Sequence, residues 1–395
     1  MLFSSLLFLW LFLPLVAGVY YLLPKAWRRA KNGLLLVASL FFYGWGEPVY
    51  ILLMLASITL NWGAGLCVWK LRHRTVVLAA TVAANLLLLG YFKYFDFAAG
   101  ALNALLGHEA VPLRNIALPL GISFYTFQAL SYVIDLYRGE IKVQKNWFLL
   151  ALYVSFFPQL IAGPIVRYAD VEEQLARRTE TAMKAAVGIK RFLYGLAKKV
   201  LLANTFALAA DEIFGLAARD ASTAVAWAGA VFYALQIYYD FSGYSDMAIG
   251  LGRIFGFHFM ENFNYPYLAA SVQEFWRRWH ISLSTWFRSY LYIPLGGNRK
   301  GKARTLVNLM IVFLCTGLWH GANWQFVAWG VYYGLFLIAE RLWLKPVLEK
   351  HRLAGHIYTL VVVLAAWVIF RAPGLREGAL WLKAMFLPTA GSAAF

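Results

Sequence analysis

The chain has 395 residues, of which 62% are hydrophobic, 17% are aromatic and only 14% are charged. This balance excludes an ordinary soluble domain, in which about a quarter of the residues are charged, and indicates an integral membrane protein. The formal net charge is +17, but the basic residues form short clusters between apolar stretches, as in the cytoplasmic loops of membrane proteins. We therefore attribute the charge to membrane topology and not to nucleic-acid binding.

Apolar segments that suit a bilayer recur along the whole chain. Several are interrupted by glycine or proline, or are shorter than the roughly 20 residues of a spanning helix. The sequence therefore predicts an all-α, polytopic membrane protein with about ten to eleven transmembrane or re-entrant helices. With no internal repeat or long polar linker, we predict one membrane domain over residues 1–395. The apolar segments are 2–23, 34–55, 76–91, 116–136, 148–165, 224–252, 306–318, 326–338 and 358–370.

The longest polar connection runs from Arg167 to Arg191. Its acidic and basic residues recur at helical spacing, which predicts one amphipathic helix on the cytoplasmic side. Further along, "QIYYDFSGYSDMAIGLG" places Asp240 and Asp246 in an otherwise apolar run. Carboxylates at that depth need partners, so we expect them to pair with Arg277 or Arg278 or to orient a histidine. Asp240, Asp246 and Asn323 are also candidate substrate-binding residues, although a structural ion pair is an equally good interpretation for the two aspartates.

The stretch "EFWRRWHISLSTW", residues 274–286, is amphipathic when it is placed on a helical period. We predict a re-entrant helix whose tryptophans pack against neighbouring helices, while an interfacial helix with no chemical role is the alternative. The apolar face would carry Trp276, Trp279, Leu283 and Trp286, and the polar face Arg277, His280, Ser284 and Arg288.

His320 is the ionisable residue with the strongest functional signal. It lies in "GLWHGANW" with apolar residues on both sides, and ionisable groups inside a membrane are costly. Imidazole is suited to general-base work near neutral pH, although a neutral histidine bonded to a helix carbonyl is the alternative. Gly317 and Gly321 would let a helix or ligand approach the backbone, and Asn323 is a candidate to orient a ring or a carbonyl. We predict no metal site.

Three motifs together resemble the membrane-bound O-acyltransferase family, and within it the bacterial alginate O-acetylase-like branch. They are "DFSGYSDMAIGLGRIFGF", "ENFNYPYLAASVQEFWRRWHISLSTWFRSYLYIPLGGNR" and "GLWHGANWQFVAWGVYYG". The segments "LPLGISFYTFQALSYVIDLYRG" and "FFPQLIAGPIVRY" resemble the same branch in the same order. The resemblance covers nearly the whole chain and is specific because it rests on several motifs.

The resemblance implies a fold with a central funnel, in which the family's near-invariant histidine matches His320 and a more variable one matches His280. It also implies a cytoplasmic thioester donor, expected to be acetyl-CoA as a substrate with no bound cofactor. The expected acceptor is an exported polysaccharide or cell-wall glycan, reached through a periplasmic acyltransferase partner at the bacterial inner membrane. Many branch members continue further, so C-terminal helices are expected to be missing or shortened here.

The residues leave several alternatives open. His320 can act as a general base or form an acyl-histidine intermediate. Arg277, Arg278 and Lys302 are candidate contacts for the phosphates of the donor. D-alanyl transfer to teichoic acid is the nearest competing reaction, and a lipid-linked sugar transporter or a scaffold subunit would also contain broken membrane helices.

Overall fold

The computed structural model describes residues 1–388, and the regular structure within them is entirely helical, which confirms the all-α prediction. The α-helices of this part of the chain are α1 (Leu13–Leu22), α2 (Arg28–Gly44), α3 (Tyr50–Lys70), α4 (Arg74–Leu89), α5 (Phe95–Leu106), α6 (Ile122–Arg138), α7 (Trp147–Ser155), α8 (Phe157–Leu160), α9 (Tyr168–Ala176), α10 (Ala182–Ala197), α11 (Asn204–Phe214), α12 (Thr223–Ile254), α13 (Val272–Arg278), α14 (Ile281–Phe287), α15 (Lys302–His320), α16 (Trp324–Ala339), α17 (Lys345–Lys350), α18 (Arg352–Arg371) and α19 (Leu375–Phe386).

Short turns of π-helix extend or join several of these helices. Gly90–Tyr94 joins α4 to α5, and Lys198–Ala203 joins α10 to α11, so each pair forms one long helix. The other short elements are the π-helical turns Phe8–Phe12, Arg288–Tyr292 and Glu340–Leu344 and the 3₁₀ turn Pro266–Leu268.

Within the described residues, five helices are long and apolar enough to cross a membrane. The N-terminal helix Phe8–Leu22 is apolar but shorter. The protein is therefore a helical membrane protein, while the count of ten to eleven membrane segments stays a prediction. The five helices are Tyr50–Lys70, Arg74–Leu106, Ala182–Phe214, Lys302–His320 and Arg352–Arg371.

The described residues group into two compact units. The first contains Met1–Leu196 and Tyr244–Met260, and the second contains Ala197–Gly243 and the chain from Glu261 onwards. The prediction of a single membrane domain over residues 1–395 stays a prediction.

The core of the first unit is built from aromatic rings and paired polar groups. Phe12 and Phe157 meet edge to face with centroids 5.3 Å apart, and Phe42 lies 5.7 Å and 5.6 Å from them. Asn61 of α3 and Asn85 of α4 exchange side-chain amide hydrogen bonds of 3.1 Å and 3.0 Å, so both buried amides are satisfied.

One prediction for the first unit is wrong. The connection from Arg167 to Arg191 is not one amphipathic helix, because α9 ends at Ala176 and α10 begins at Ala182. The chain breaks between them because Arg178 and Glu180 turn inward, and each is only 7% exposed. From Ala182 the chain continues as a candidate membrane span.

The second unit is packed around large aromatic side chains from α13, α16 and α18. Trp279 follows α13, and its ring lies 4.9 Å from that of Trp367 and stacks on Phe275 at 5.6 Å. Trp329 and Tyr333 of α16 meet edge to face at 4.9 Å. Such pairs contribute about 0.5–1.5 kcal/mol each beyond their buried area, so this cluster holds the three helices together.

Candidate active site

His320 is the last residue of α15, at the point where the chain turns into α16. Gly321 has an extended backbone (φ −170°, ψ 154°) and ends the helix. A Cβ atom on Gly317 would lie only 2.2 Å from the carbonyl oxygen of Phe326, and one on Gly321 would lie 2.1 Å from the ring of Phe326. The glycines therefore let α16 approach the backbone beside His320, as the sequence predicted.

The imidazole of His320 is half-buried and lies among aromatic rings. Its centroid is 5.1 Å from Trp329 of α16 and 5.2 Å from Phe370 of α18, both edge to face, and 5.0 Å from its neighbour Trp319. This environment fixes the ring from several sides and leaves part of it accessible. That combination suits a group that must meet a substrate.

His280 is completely buried, and its backbone breaks the helix that was predicted over residues 274–286. α13 ends at Arg278 and α14 begins at Ile281, while His280 has φ 45° and ψ 54°. The left-handed region is costly for a residue with a side chain, so the surrounding packing must hold it there. The predicted burial of the apolar face is nevertheless confirmed, since Trp276, Trp279, Leu283 and Trp286 are each at most 7% exposed.

Asn262 determines which nitrogen of His280 carries the proton. Its Oδ1 accepts the backbone N–H of Ser282 (3.2 Å) and the Ser282 hydroxyl (2.9 Å), which identifies that atom as the oxygen. The Nδ1 of His280 lies 3.2 Å from the same oxygen and 3.4 Å from the Ser282 hydroxyl, and the shorter contact to a pure acceptor favours the tautomer in which Nδ1 donates. Nε2 is then the acceptor nitrogen, and it is buried without a hydrogen-bond partner among the described residues.

Trp319 brings the two histidines to one site. Its ring lies 5.7 Å from His280 and 5.0 Å from His320. The ring of His280 also makes an edge-to-face contact with Phe241, with centroids 4.7 Å apart. The structure therefore places the two predicted catalytic residues around one shared indole.

Asn323 and the two aspartates have separate environments. Asn323 is exposed and precedes α16, and its side chain makes no capping hydrogen bond to that helix. Asp240 pairs with Lys199 at 2.6 Å, so the expected partner, Arg277 or Arg278, is replaced by a different cation. Asp246 pairs with Arg191, also at 2.6 Å, within the first unit. The substrate-binding roles of these three residues stay predictions.

Arg277 and Arg278 lie in different environments. Arg277 lines a cleft of about 810 Å³ in the second unit together with Lys302. Arg278 instead donates to Glu274 Oε1 at 2.8 Å and 3.0 Å and to the carbonyl of Asn264 at 3.2 Å. The charged side chains that line the cleft are Glu274, Arg277, Lys302, Glu340, Arg341, Lys345, Glu349 and Arg352.

The cleft has an excess of positive charge. Its lining carries five cations and three carboxylates. Glu340 is already engaged, since it accepts the backbone N–H groups of Val272 (2.6 Å) and Gln273 (2.9 Å) at the start of α13. Cations arranged around a cleft in this way can hold an anionic ligand.

Comparison with known proteins decides the family. The model of MBOAT, the membrane-bound O-acyltransferase family, matches residues 145–376. A Pseudomonas putida protein named "Probable alginate O-acetylase AlgI" is 47% identical over 395 residues, which cover 98% of this chain and 80% of the relative. The chain belongs to the membrane-bound O-acyltransferase family.

Two further relatives differ in how much of the chain they match. A "Peptidoglycan O-acetyltransferase" of Helicobacter pylori is 37% identical and covers 98% of this chain and 80% of its own length. A "Teichoic acid D-alanyltransferase" of Streptococcus thermophilus is 28% identical over 59% of this chain and 60% of its own length. The protein is thus an O-acyltransferase, which favours acyl transfer over the transporter and scaffold alternatives.

Sequence reasoning missed two residues that shape this candidate site. Asn262 orients His280 from 18 positions away, and Phe370 packs on His320 from another helix. Neither has a local signal, because an asparagine in a loop and a phenylalanine in an apolar helix are both common. Only the contacts across the fold distinguish them.

Proposed function

We propose that this enzyme takes an acetyl group from acetyl-CoA on the cytoplasmic side of a bacterial inner membrane for O-acetylation of an exported polysaccharide or cell-wall glycan. A periplasmic acyltransferase partner completes delivery to the polymer. The Pseudomonas putida and Helicobacter pylori relatives, which each match 98% of the chain, carry O-acetylation names, and this supports acetyl over D-alanyl as the transferred group. The proposed fold has further membrane-embedded helices beyond the five candidate spans, arranged around a central funnel.

The position of His320 carries the proposal. It is half-buried at a helix end and is bounded by aromatic rings, so one face can meet a substrate in a poorly hydrated environment. As general base, His320 takes the proton of the acceptor hydroxyl while that oxygen bonds to the acyl carbon. The carbon–sulfur bond of the thioester then breaks, and the imidazolium returns the proton to the thiolate.

An acyl-histidine intermediate is the competing route. In that case a nitrogen of His320 attacks the thioester carbon and the thiolate leaves, and in a second step the acceptor hydroxyl attacks the acyl carbon and releases the imidazole. His280 supports either route as a positioning residue, because its Nε2 can accept a hydrogen bond beside the indole that both histidines contact. Rapid quenching with radiolabelled donor separates the routes, since only the second leaves label on the protein.

The catalytic proposal is tested with purified protein in nanodiscs, together with its periplasmic partner. Transfer or hydrolysis of radiolabelled acetyl-CoA is compared between wild type, His320→Ala and His320→Gln. We expect turnover to fall roughly 10²- to 10⁴-fold in both variants, as is usual when a general base is lost. His73→Ala is the matched control, because His73 is exposed in the first unit and is expected to leave turnover unchanged. Equal turnover in all four proteins would reject the role of His320.

The donor proposal uses the contrast between the neighbouring arginines. Arg277 and Lys302 line the cationic cleft and are proposed to bind the donor phosphates, whereas Arg278 is engaged by Glu274. We expect Arg277→Gln and Lys302→Gln to raise KM for acetyl-CoA about tenfold with little change in kcat, since lost charge-assisted bonds weaken ground-state binding. Arg278→Gln should leave KM unchanged. A wild-type enzyme that used only a D-alanyl carrier thioester would overturn the choice of donor.

A further inference from the structure

The first unit contains a buried cluster of charges in which cations outnumber carboxylates. Glu180 accepts hydrogen bonds from Tyr20 (2.6 Å) and Arg28, and it lies 3.8 Å from Arg178 and 3.9 Å from Lys31. Lys31 is 1% exposed, and Arg178 and Glu180 are each 7% exposed. One carboxylate faces three cations, and an uncompensated buried cation is costly unless an anion joins it.

Arg178 has an unused donor group in this cluster. Its Nε lies 3.0 Å from the carbonyl of Phe255, and its Nη1 donates to Asn32 Oδ1 at 2.7 Å. Its Nη2 is buried and has no hydrogen-bond partner among the described residues. A guanidinium group carries five N–H donors, and a buried donor without a partner is destabilising, so the positive charge of Arg178 is only partly compensated in this cluster.

Arg178 lies in the wall of a cleft of about 520 Å³ that is cationic. Arg28, Arg177 and Lys184 also line this cleft, together with His258, and none of its described lining residues is a carboxylate. Gly256 lines the cleft with φ +83°, and a Cβ atom there would lie 3.2 Å from Glu180 Cγ and 3.4 Å from Arg178 Cδ. The backbone therefore approaches the arginine closely, and the cleft is shaped around it.

An apolar groove continues from this cleft. It shares Lys184, Gly256 and His258 with the cationic cleft and adds Arg253, Phe257, Met183 and Val187, of which the last two are 73% and 40% exposed. These residues lie in the first turns of the helix Ala182–Phe214, a candidate membrane span. Cations beside exposed apolar side chains, at the start of such a helix, match the two ends of a phospholipid.

We propose that this cleft binds the phosphate group of an anionic phospholipid, with an acyl chain along Met183 and Val187. A free phosphate ion offers the same oxygens to Arg177, Arg178 and Lys184, but it makes no use of the apolar groove. The site lies within the first unit and does not depend on the proposed acyl transfer, so its test measures binding alone.

The test is native mass spectrometry of the full chain in detergent micelles, titrated with dioleoyl phosphatidylglycerol or dioleoyl phosphatidylcholine. The double variant Arg177→Gln/Lys184→Gln removes two cations from the cleft and spares the buried cluster. Lys25→Gln/Arg29→Gln removes two exposed cations that do not line it and is the matched control. We expect the cleft variant to bind phosphatidylglycerol roughly tenfold more weakly than wild type, the control to bind it normally, and phosphatidylcholine to bind weakly throughout.

Two results would overturn the proposal. An equal loss of affinity for phosphatidylglycerol in both double variants would show that the net positive charge of the protein, and not this cleft, binds the lipid. Displacement of the lipid by millimolar inorganic phosphate, with the same dependence on Arg177 and Lys184, would show that the cleft takes a free anion. Retention of the lipid at that phosphate concentration supports the proposal.

Discussion

Gly317→Ala tests whether the contact between α15 and α16 positions His320. The new Cβ would lie 2.2 Å from the carbonyl oxygen of Phe326, whereas real Cβ contacts essentially never fall below 3.0 Å. The two backbones must therefore separate by about 0.8 Å or more, because neither can rotate away as a side chain can. Overpacking of this kind costs about 1–3 kcal/mol, and a displacement near 1 Å at a catalytic group reduces turnover about 10²-fold.

Gly334→Ala is the matched control on the same helix pair. Its Cβ would meet the sulfur and methyl carbon of Met310 at 2.8 Å and 3.0 Å, and a flexible methionine can move aside at little cost. We expect Gly317→Ala to lose about two orders of magnitude in acetyl transfer and to melt earlier, while Gly334→Ala stays close to wild type. The reasoning is refuted if folded Gly317→Ala retains full turnover, or if both variants lose it equally.

Three further predictions concern buried polar groups. Asn262→Ala removes the acceptor for His280, so the free energy of unfolding should fall by about 1–3 kcal/mol and kcat should also fall. Asn262→Asp should partly restore both. An unchanged kcat in Asn262→Ala would argue against a positioning role. Burial by itself raises the pKa of Glu180, but the hydrogen bond from Arg28, followed by that from Tyr20, outweighs this effect. The pKa falls from 4.5 to about 2. Its stabilising contribution is therefore complete above about pH 4.5 and is lost as the pH falls through about 2, so Glu180→Gln should flatten the melting temperature over that range; identical pH profiles would contradict this. Glu340→Ala leaves two N–H groups at the start of α13 without their acceptor, so the free energy of unfolding measured by denaturant titration should fall by about 0.5–2 kcal/mol. Glu340→Gln keeps one acceptor oxygen and should lower it less.

The sequence predicted the features that depend on composition and spacing. A long apolar segment that ends in "GLWHGANW" is enough to place His320 on a helix and to suggest the close approach of a neighbour at Gly317. Burial of Trp276 and Trp279 followed from their helical spacing. Each of these conclusions needs only residues that are near one another along the chain.

The features that failed depend on contacts between distant segments. The period of residues 274–286 fits one continuous helix, but the side chain of Asn262 holds His280 in a conformation that breaks it. Likewise, the charges from Arg167 to Arg191 fit a solvated helix, but Arg178 and Glu180 turn inward to reach Arg28 and Asn32 on another helix. Periodicity cannot reveal a partner outside the helix itself, whether it lies 18 positions away, as Asn262 does from His280, or 152 positions away, as Arg28 does from Glu180.

The hydrogen bonds of His280 determine which of its ring nitrogens donates and which accepts. Because Asn262 Oδ1 can only accept, the imidazole gives its one proton to that side and presents a bare lone pair at Nε2. A second proton there would create a buried cation between the rings of Phe241 and Trp319, which is unfavourable in such surroundings. His280 is therefore suited to accept a hydrogen bond at Nε2 and so to align a donor group, but it is badly suited to take up that proton and transfer it.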